Sequence, residues 1–252
     1  SGFPRAGNTV FSCILNQNPK ILSTAKSILP DVYYQIEQCK NYTIYKNFPD
    51  QKSFDNILKN IHKNYYNNFK QEYIIERGEW ITPYNYNILK KYFNQNIKIV
   101  ILVRNIIDIL KSHIDLCNKN PNFYFNTNYN SLDKSTLYKS EIEEKCDMIM
   151  QKGSYMDLIL YSIKYVKEHV DKKNYMFVDY DDFVNQPKKT LNKIYKFYEI
   201  PKFNHDLNNV SQLKINNISY NDSIFGAPMH EIKTNILKVK NYDHIKLPKR
   251  VI

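Results

Sequence analysis

The chain has 252 residues, 42% hydrophobic and 24% charged, enough to bury one sizeable core, and a single α/β domain of this length is ordinary. No run approaches the roughly eighteen apolar residues needed to cross a bilayer, so a chain without a membrane span in a cytoplasmic setting is expected. The net charge of +11 suits an anionic ligand, but the basic residues are spread along the chain rather than gathered on one arm, which speaks against a nucleic-acid partner.

The first nine residues, SGFPRAGNT, keep the glycine frame of a phosphate-cradling loop: Gly2 and Gly7 with four residues between, then Asn8 and Thr9. A P-loop ATPase reads G-x-x-x-x-G-K-[ST], its lysine reaching the outer phosphates. Here Asn8 holds that position and the cation, Arg5, sits inside the loop. Glycines let successive N–H groups converge on one oxyanion, and a helix starting at Thr9, with apolar Val10, Phe11, Ile14 and Leu15, adds the attraction of its N-terminus. Such a loop needs a strand feeding it, so a short strand is expected upstream of Ser1.

Apolar steps of three and four predict helices over 31–40, 53–69 and 84–94. YIIE at 73–76 reads as a short strand, and KIVILVR at 98–104 as one covered on both faces, as in a parallel sheet. The next helix has Ile107, Leu110 and Ile114 as its core stripe. The polar and aromatic stretch 117–135 reads as a long surface excursion that can carry substrate contacts. An amphipathic helix is expected over 154–170, a buried strand over 175–180, and a helix from Pro187 carrying Leu191, Ile194 and Tyr198. Strands alternating with helices imply a βαβ architecture. The expectation is an α/β three-layer sandwich with a central parallel sheet, P-loop nucleotide-hydrolase-like, forming one domain over 1–252.

The four cysteines, Cys13, Cys39, Cys117 and Cys146, form no C-x-x-C pair and are expected to be reduced. The six histidines show no H-x-x-H or H-E-x-x-H spacing, so no catalytic metal is expected. The terminal basic cluster (Lys238, Lys240, Lys246, Lys249, Arg250) reads as a solvated tail.

In parallel sheets ligands bind outside the carboxyl ends of the strands, where the opening loop, Arg104 and Tyr180 fall together. On these residues the chain resembles the sulfotransferases that use 3′-phosphoadenosine 5′-phosphosulfate (PAPS). SGFPRAGNT is similar to their P-[KR]-[SA]-G-[TNS]-T loop. VRNIIDILKSH is similar to their V-R-[DN]-x-x-D-x-x-x-S segment, with Arg104 and Ser112 at the spacing that binds the 3′-phosphate. VDYDDFVNQPKKTLNKIYKFYEIP and GAPMHEIKTNI resemble two further blocks of the family, in the family's order. The resemblance implies in-line sulfuryl transfer from PAPS to an acceptor hydroxyl, leaving adenosine 3′,5′-bisphosphate. By analogy with phosphoryl transfer, such a protein mostly positions reactants and stabilises charge.

The implied roles follow residue by residue. Arg5 serves the phosphosulfate and is catalytic; Ala6, Gly7, Asn8 and Thr9 hold the same group; Arg104 and Ser112 take the 3′-phosphate; Tyr180 and Lys233 contact the nucleotide. Read without the resemblance, Arg104 pairs with Asp108, Tyr180 is a core tyrosine, and His230 is structural. For the proton acceptor, relatives use histidine or glutamate. Here Glu76 and Glu79 in YIIERGEW are the main candidates, with His113 and Asp31 behind them and ion pairing to Arg77 or Lys90 as the plain reading. A kinase or NTPase with Asp179 as its metal-side acid, or a nucleotide binder without turnover, stays open. The acceptor is a carbohydrate, another small molecule or a peptide.

Overall fold

The computed structural model describes residues 1–93, 97–126, 140–232 and 242–251. In chain order the elements are α1 (Asn8–Leu15), β1 (Ile21–Lys26), α2 (Leu29–Gln38), α3 (Thr43–Asn47), α4 (Gln51–Tyr65), β2 (Tyr73–Arg77), α5 (Pro83–Phe93) and β3 (Ile99–Val103). They continue with α6 (Ile106–Lys119), α7 (Glu141–Met150), α8 (Tyr155–His169), β4 (Tyr175–Asp179), α9 (Tyr180–Asn185) and α10 (Pro187–Tyr198). Local chemistry sets several starts. The Asp50 carboxylate accepts from Ser53 N–H at 3.0 Å ahead of α4, and the Asn105 side chain accepts from Ile107 N–H at 2.8 Å ahead of α6; each satisfies a donor that the first turn leaves open. Pro187 begins α10, where a missing N–H costs nothing.

All strand pairing between named strands is parallel. β1 pairs with β2, Ile21 opposite Tyr73, and β3 pairs with β4, Ile99 opposite Tyr175. The opening residues tie the two pairs together. Phe3 N–H donates to the Leu102 carbonyl at 2.9 Å and Leu102 N–H to that of Ser1 at 3.0 Å, so Ser1–Phe3 runs parallel to β3. The Ser1 hydroxyl meanwhile donates to the Gly78 carbonyl at 2.5 Å and accepts from Trp80 N–H at 3.1 Å, just past β2. Behind this junction a cavity of about 860 Å³ lies between β2 and β3, with Ile74, Glu76, Val100 and Tyr66 in its lining.

β3 is covered on both faces, as its unbroken apolar run predicts. Val100 and Leu102 pack with Phe11, Ile14 and Ile109, whereas Ile99 and Ile101 pack with Leu29, Tyr33, Trp80 and Val166. That alternation is the two-residue period of a strand. The architecture is mixed α/β with parallel sheets, and the loop, Arg104 and Tyr180 gather at the strand ends.

Two stretches differ from expectation. β1 carries Ser23, Thr24 and Ala25, which hide its strand character, but it is buried from Ile21 to Thr24. The Asn16 side chain bonds both the amide and the carbonyl of Ser23, each at 2.7 Å. The stretch 117–135 is not a surface excursion at its start. α6 continues to Lys119, Phe123 is fully buried and Phe125 nearly so, because their rings pack with His113 beneath the helix. Residues 127–135 lie outside the described residues. All four cysteines are free, and burial pushes the thiols of Cys13, Cys117 and Cys146 up to about 11, which keeps them unreactive. Among the described residues no helix is long and apolar enough to cross a membrane.

Candidate active site

The opening loop has the backbone its glycines allow. Gly2, Arg5 and Gly7 have φ of 144°, 60° and 83°, values that favour glycine and cost an arginine some strain. At Gly2 a Cβ would stand 2.3 Å from the Leu102 carbonyl oxygen, so the close approach to β3 excludes any side chain. Asn8, in the position of a P-loop lysine, donates from Nδ2 to the Phe3 carbonyl at 2.8 Å and closes the loop on itself. No side chain caps α1, and its first turn carries no acid.

Arg104 leaves β3 and turns onto the loop. Its Nη1 donates to the Arg5 carbonyl at 2.8 Å, and its guanidinium lies 4.2 Å from the centre of the Tyr180 ring and 5.6 Å from that of Tyr242. The residue is 7% exposed, yet its Nε has no hydrogen-bond partner among the described residues. Arg5 folds toward α6, where its Nε donates to Ser112 Oγ at 3.2 Å and its Nη1 to the Met229 carbonyl at 3.4 Å. Ser112 is buried and shares a hydrogen bond with Tyr242 Oη at 3.0 Å. Burial, opposed in part by Tyr242 and reinforced by Arg104, pushes the Arg5 guanidinium below its ordinary pKa. Tyr180 lies against the loop, its ring 3.4 Å from where a Gly7 Cβ would stand. Arg5, Arg104, Ser112, Tyr180 and the loop, far apart in sequence, therefore form one cluster.

A third arginine joins them. Arg77, the last residue of β2, donates from Nη1 to Thr9 Oγ1 at 3.0 Å and to Tyr220 Oη at 3.1 Å. The Tyr220 ring stacks on His230, centres 3.8 Å apart and planes 4° apart. His230 bonds Asp222 through Nδ1 at 2.6 Å. Sequence reading missed Arg77 as a site residue, although its place at the carboxyl end of a parallel strand is the signal that singled out Arg104. Tyr242 and Asp222 carried no such signal.

The charge balance is the informative quantity. No carboxylate lies within ion-pair distance of Arg5, Arg77 or Arg104 among the described residues, and Arg104 does not pair with Asp108. A buried cation without a counter-ion costs several kcal/mol. Arg104 is such a cation, and the half-buried Arg5 and Arg77 add positive charge beside the loop, which makes the cluster a candidate anion site with the unpartnered Nε of Arg104 able to donate.

The expected acids stand apart from this cluster. Glu76 accompanies His62, whose Nε2 lies 2.8 Å from its Oε2, and His62 Nδ1 lies 2.8 Å from Tyr33 Oη. The two-residue strand period sends its side chain to the opposite face from Arg77. Glu79 pairs with Lys26, and Lys26 lies over the Tyr155 ring at 5.2 Å. His113 is held neutral by burial, its pKa pushed down to about 4, and Asp31 is exposed on α2. Asp179 caps α9, accepting from Asp181 and Asp182 N–H at 2.8 and 3.3 Å. Lys233 lies outside the described residues.

A glycine-framed loop at the strand ends of a parallel α/β fold is ringed here by arginines without carboxylate partners among the described residues, the outline of a candidate site for an anionic group. The sulfotransferase domain family matches residues 1–237, and the chain belongs to that family. Among solved structures it resembles the "Sulfotransferase Domain from the Curacin Biosynthetic Pathway", with a TM-score of 0.51 and 13% identity over 80% of this chain and 73% of that one; at that identity the likeness is one of fold. A search of curated proteins finds no match.

Proposed function

We propose that this chain transfers the sulfuryl group of PAPS to an acceptor hydroxyl by in-line displacement. The observation that carries the reading is the convergence of Arg5, Arg77 and Arg104 on the Gly2–Thr9 loop without a carboxylate partner. In this reading the loop amides, Thr9 and Arg77 hold the 5′-phosphosulfate, while Arg104 and Ser112 take the 3′-phosphate. Arg5 bridges the two ends, since its backbone lies in the loop and its guanidinium at Ser112. Charge building on the leaving phosphate oxygen would meet donors already in place, which is how such sites lower a barrier. Tyr180 holds Arg104 beside the loop through ring contact. Lys233 belongs to the segment after Met229, whose carbonyl already reaches Arg5.

The same reading takes β1, β2, Ser1–Phe3, β3 and β4, in that order, as one parallel sheet between two helical layers. This is the three-layer, P-loop nucleotide-hydrolase-like sandwich of a single domain. Against a kinase, Asn8 closes the loop where a lysine would reach out, and the Asp179 carboxylate is occupied by α9. Incubation with ³⁵S-labelled PAPS and separate pools of carbohydrate, small-molecule and peptide hydroxyls tests the proposal. Labelled product in one pool is expected. Binding of adenosine 3′,5′-bisphosphate without labelled product in any pool would leave a nucleotide binder in its place.

A further inference from the structure

Resting on the PAPS reading, we infer that the Asp222–His230 pair, rather than Glu76 or Glu79, accepts the proton of the attacking hydroxyl. Three observations converge on His230. Its Nδ1 faces Asp222 Oδ1 at 2.6 Å, and its own backbone N–H donates to Asp222 Oδ2 at 2.8 Å. An ionised carboxylate only accepts, so Nδ1 carries the hydrogen and Nε2 presents the lone pair. Nε2 has no hydrogen-bond partner among the described residues and is not closed off from solvent. The ring is also fixed in orientation by its stack on Tyr220.

His230 is also anchored to the cluster that grips the anion. Its predecessor's carbonyl accepts from Arg5, and its stacking partner Tyr220 accepts from Arg77, which holds Thr9. Gly226 makes this approach possible. With φ of 67° and a would-be Cβ 2.0 Å from the Asn122 carbonyl oxygen, it presses the 226–230 segment onto the residues after α6. The acids expected from sequence lack this arrangement: Glu76 accompanies His62 on the other face of β2, and Glu79 would first have to release Lys26.

The groups facing the ring explain its protonation. Burial pushes His230 below the ordinary histidine pKa; Asp222 opposes this, while Arg77 and Arg5 add to it. The ring is therefore neutral near pH 7 and able to take a proton. In the step, the acceptor O–H proton passes to Nε2 as the acceptor oxygen bonds to sulfur. The bond from sulfur to the 5′-phosphate oxygen breaks, its electron pair leaves on adenosine 3′,5′-bisphosphate, and the imidazolium returns its proton to water.

The test uses the full chain and three variants, His230→Gln, Asp222→Asn and Glu79→Gln, with two readouts besides turnover. Affinity for adenosine 3′,5′-bisphosphate should change by less than about threefold in all three, which separates this proposal from the PAPS reading: failure of the unaltered chain to bind the bisphosphate overturns that reading. Carbethoxylation of His230, followed by mass spectrometry, needs no acceptor, and PAPS should slow it at least about tenfold; an unprotected ring overturns the assignment. In turnover, His230→Gln should lose about 10²–10⁴-fold, the range of a general base. Asp222→Asn should lose less and move the acid limb of the pH profile to lower pH, since removing the anion lowers the ring's pKa further. Glu79→Gln with the larger loss, or an unmoved acid limb in Asp222→Asn, contradicts the proposal.

Discussion

Replacing Arg104 with alanine separates the two ends of the proposed ligand. The side chain spends one Nη on the Arg5 carbonyl and leaves Nε unpartnered, so one to two donors face a bound 3′-phosphate. A hydrogen bond to a charged group contributes about 1.5–3 kcal/mol, which makes the loss about 1.5–6 kcal/mol for one to two donors. At 1.4 kcal/mol per tenfold, that is at least roughly 10-fold in affinity and up to about 10⁴-fold. The assay is calorimetric titration with adenosine 3′,5′-bisphosphate and, in parallel, adenosine 5′-monophosphate, which lacks the 3′ group. The bisphosphate should lose the full factor and the monophosphate less than about threefold. Stability should move little, because the lost stack on Tyr180 at 4.2 Å is offset by removal of an unpaired buried charge. Equal loss for both nucleotides would refute the placement of Arg104 at the 3′ end.

Arg77→Ala is the mirror of that variant: it strips the Thr9 side of the loop, so both nucleotides should weaken alike, by about 10- to 100-fold for one charged hydrogen bond, and selective loss of the bisphosphate would contradict the 5′ assignment. Gly226→Ala forces a Cβ against the Asn122 carbonyl at a positive φ, costing about 2–4 kcal/mol; calorimetry should show Tm lowered by about 5–10 °C, and an unchanged Tm would mean the segment does not pack there. His113 should make the fold acid-sensitive. Its pKa falls from 6.5 to about 4 on folding, so the unfolded chain binds that proton more readily and stability is lost as pH drops from 6.5 toward 4. Urea titrations at pH 7 and pH 4.5 should show that slope reduced in His113→Gln; an identical slope would remove His113 from the account.

How much could be read beforehand depended on how local each signal was. The helix and strand around Arg104 were legible because an apolar run ends in a charged residue and a polar cap, both set by neighbours in sequence. β1 was not, because Ser23 and Thr24 are buried by tertiary pairing and by Asn16 rather than by their own hydrophobicity. The loop, Arg104, Ser112 and Tyr180 were legible from spacing, but the direction of Arg5 toward Ser112 was not, since it depends on a positive φ at Arg5 itself. Arg77 was weighed only as an ion-pair partner for Glu76 and Glu79, but the strand period places Glu76 on the other face and Glu79 pairs with Lys26. Tyr242 and the Asp222–His230 pair lie more than a hundred residues from the loop, and only folding brings them to it.

The central claim, that these arginines hold a 3′-phosphorylated sulfuryl donor rather than a triphosphate, is tested most directly by ligand-induced stabilisation of the unaltered chain. Melting temperature measured at equal concentrations should rise more with adenosine 3′,5′-bisphosphate than with ATP and magnesium, the stabilisation growing with the logarithm of affinity. A larger rise with ATP and magnesium would contradict it.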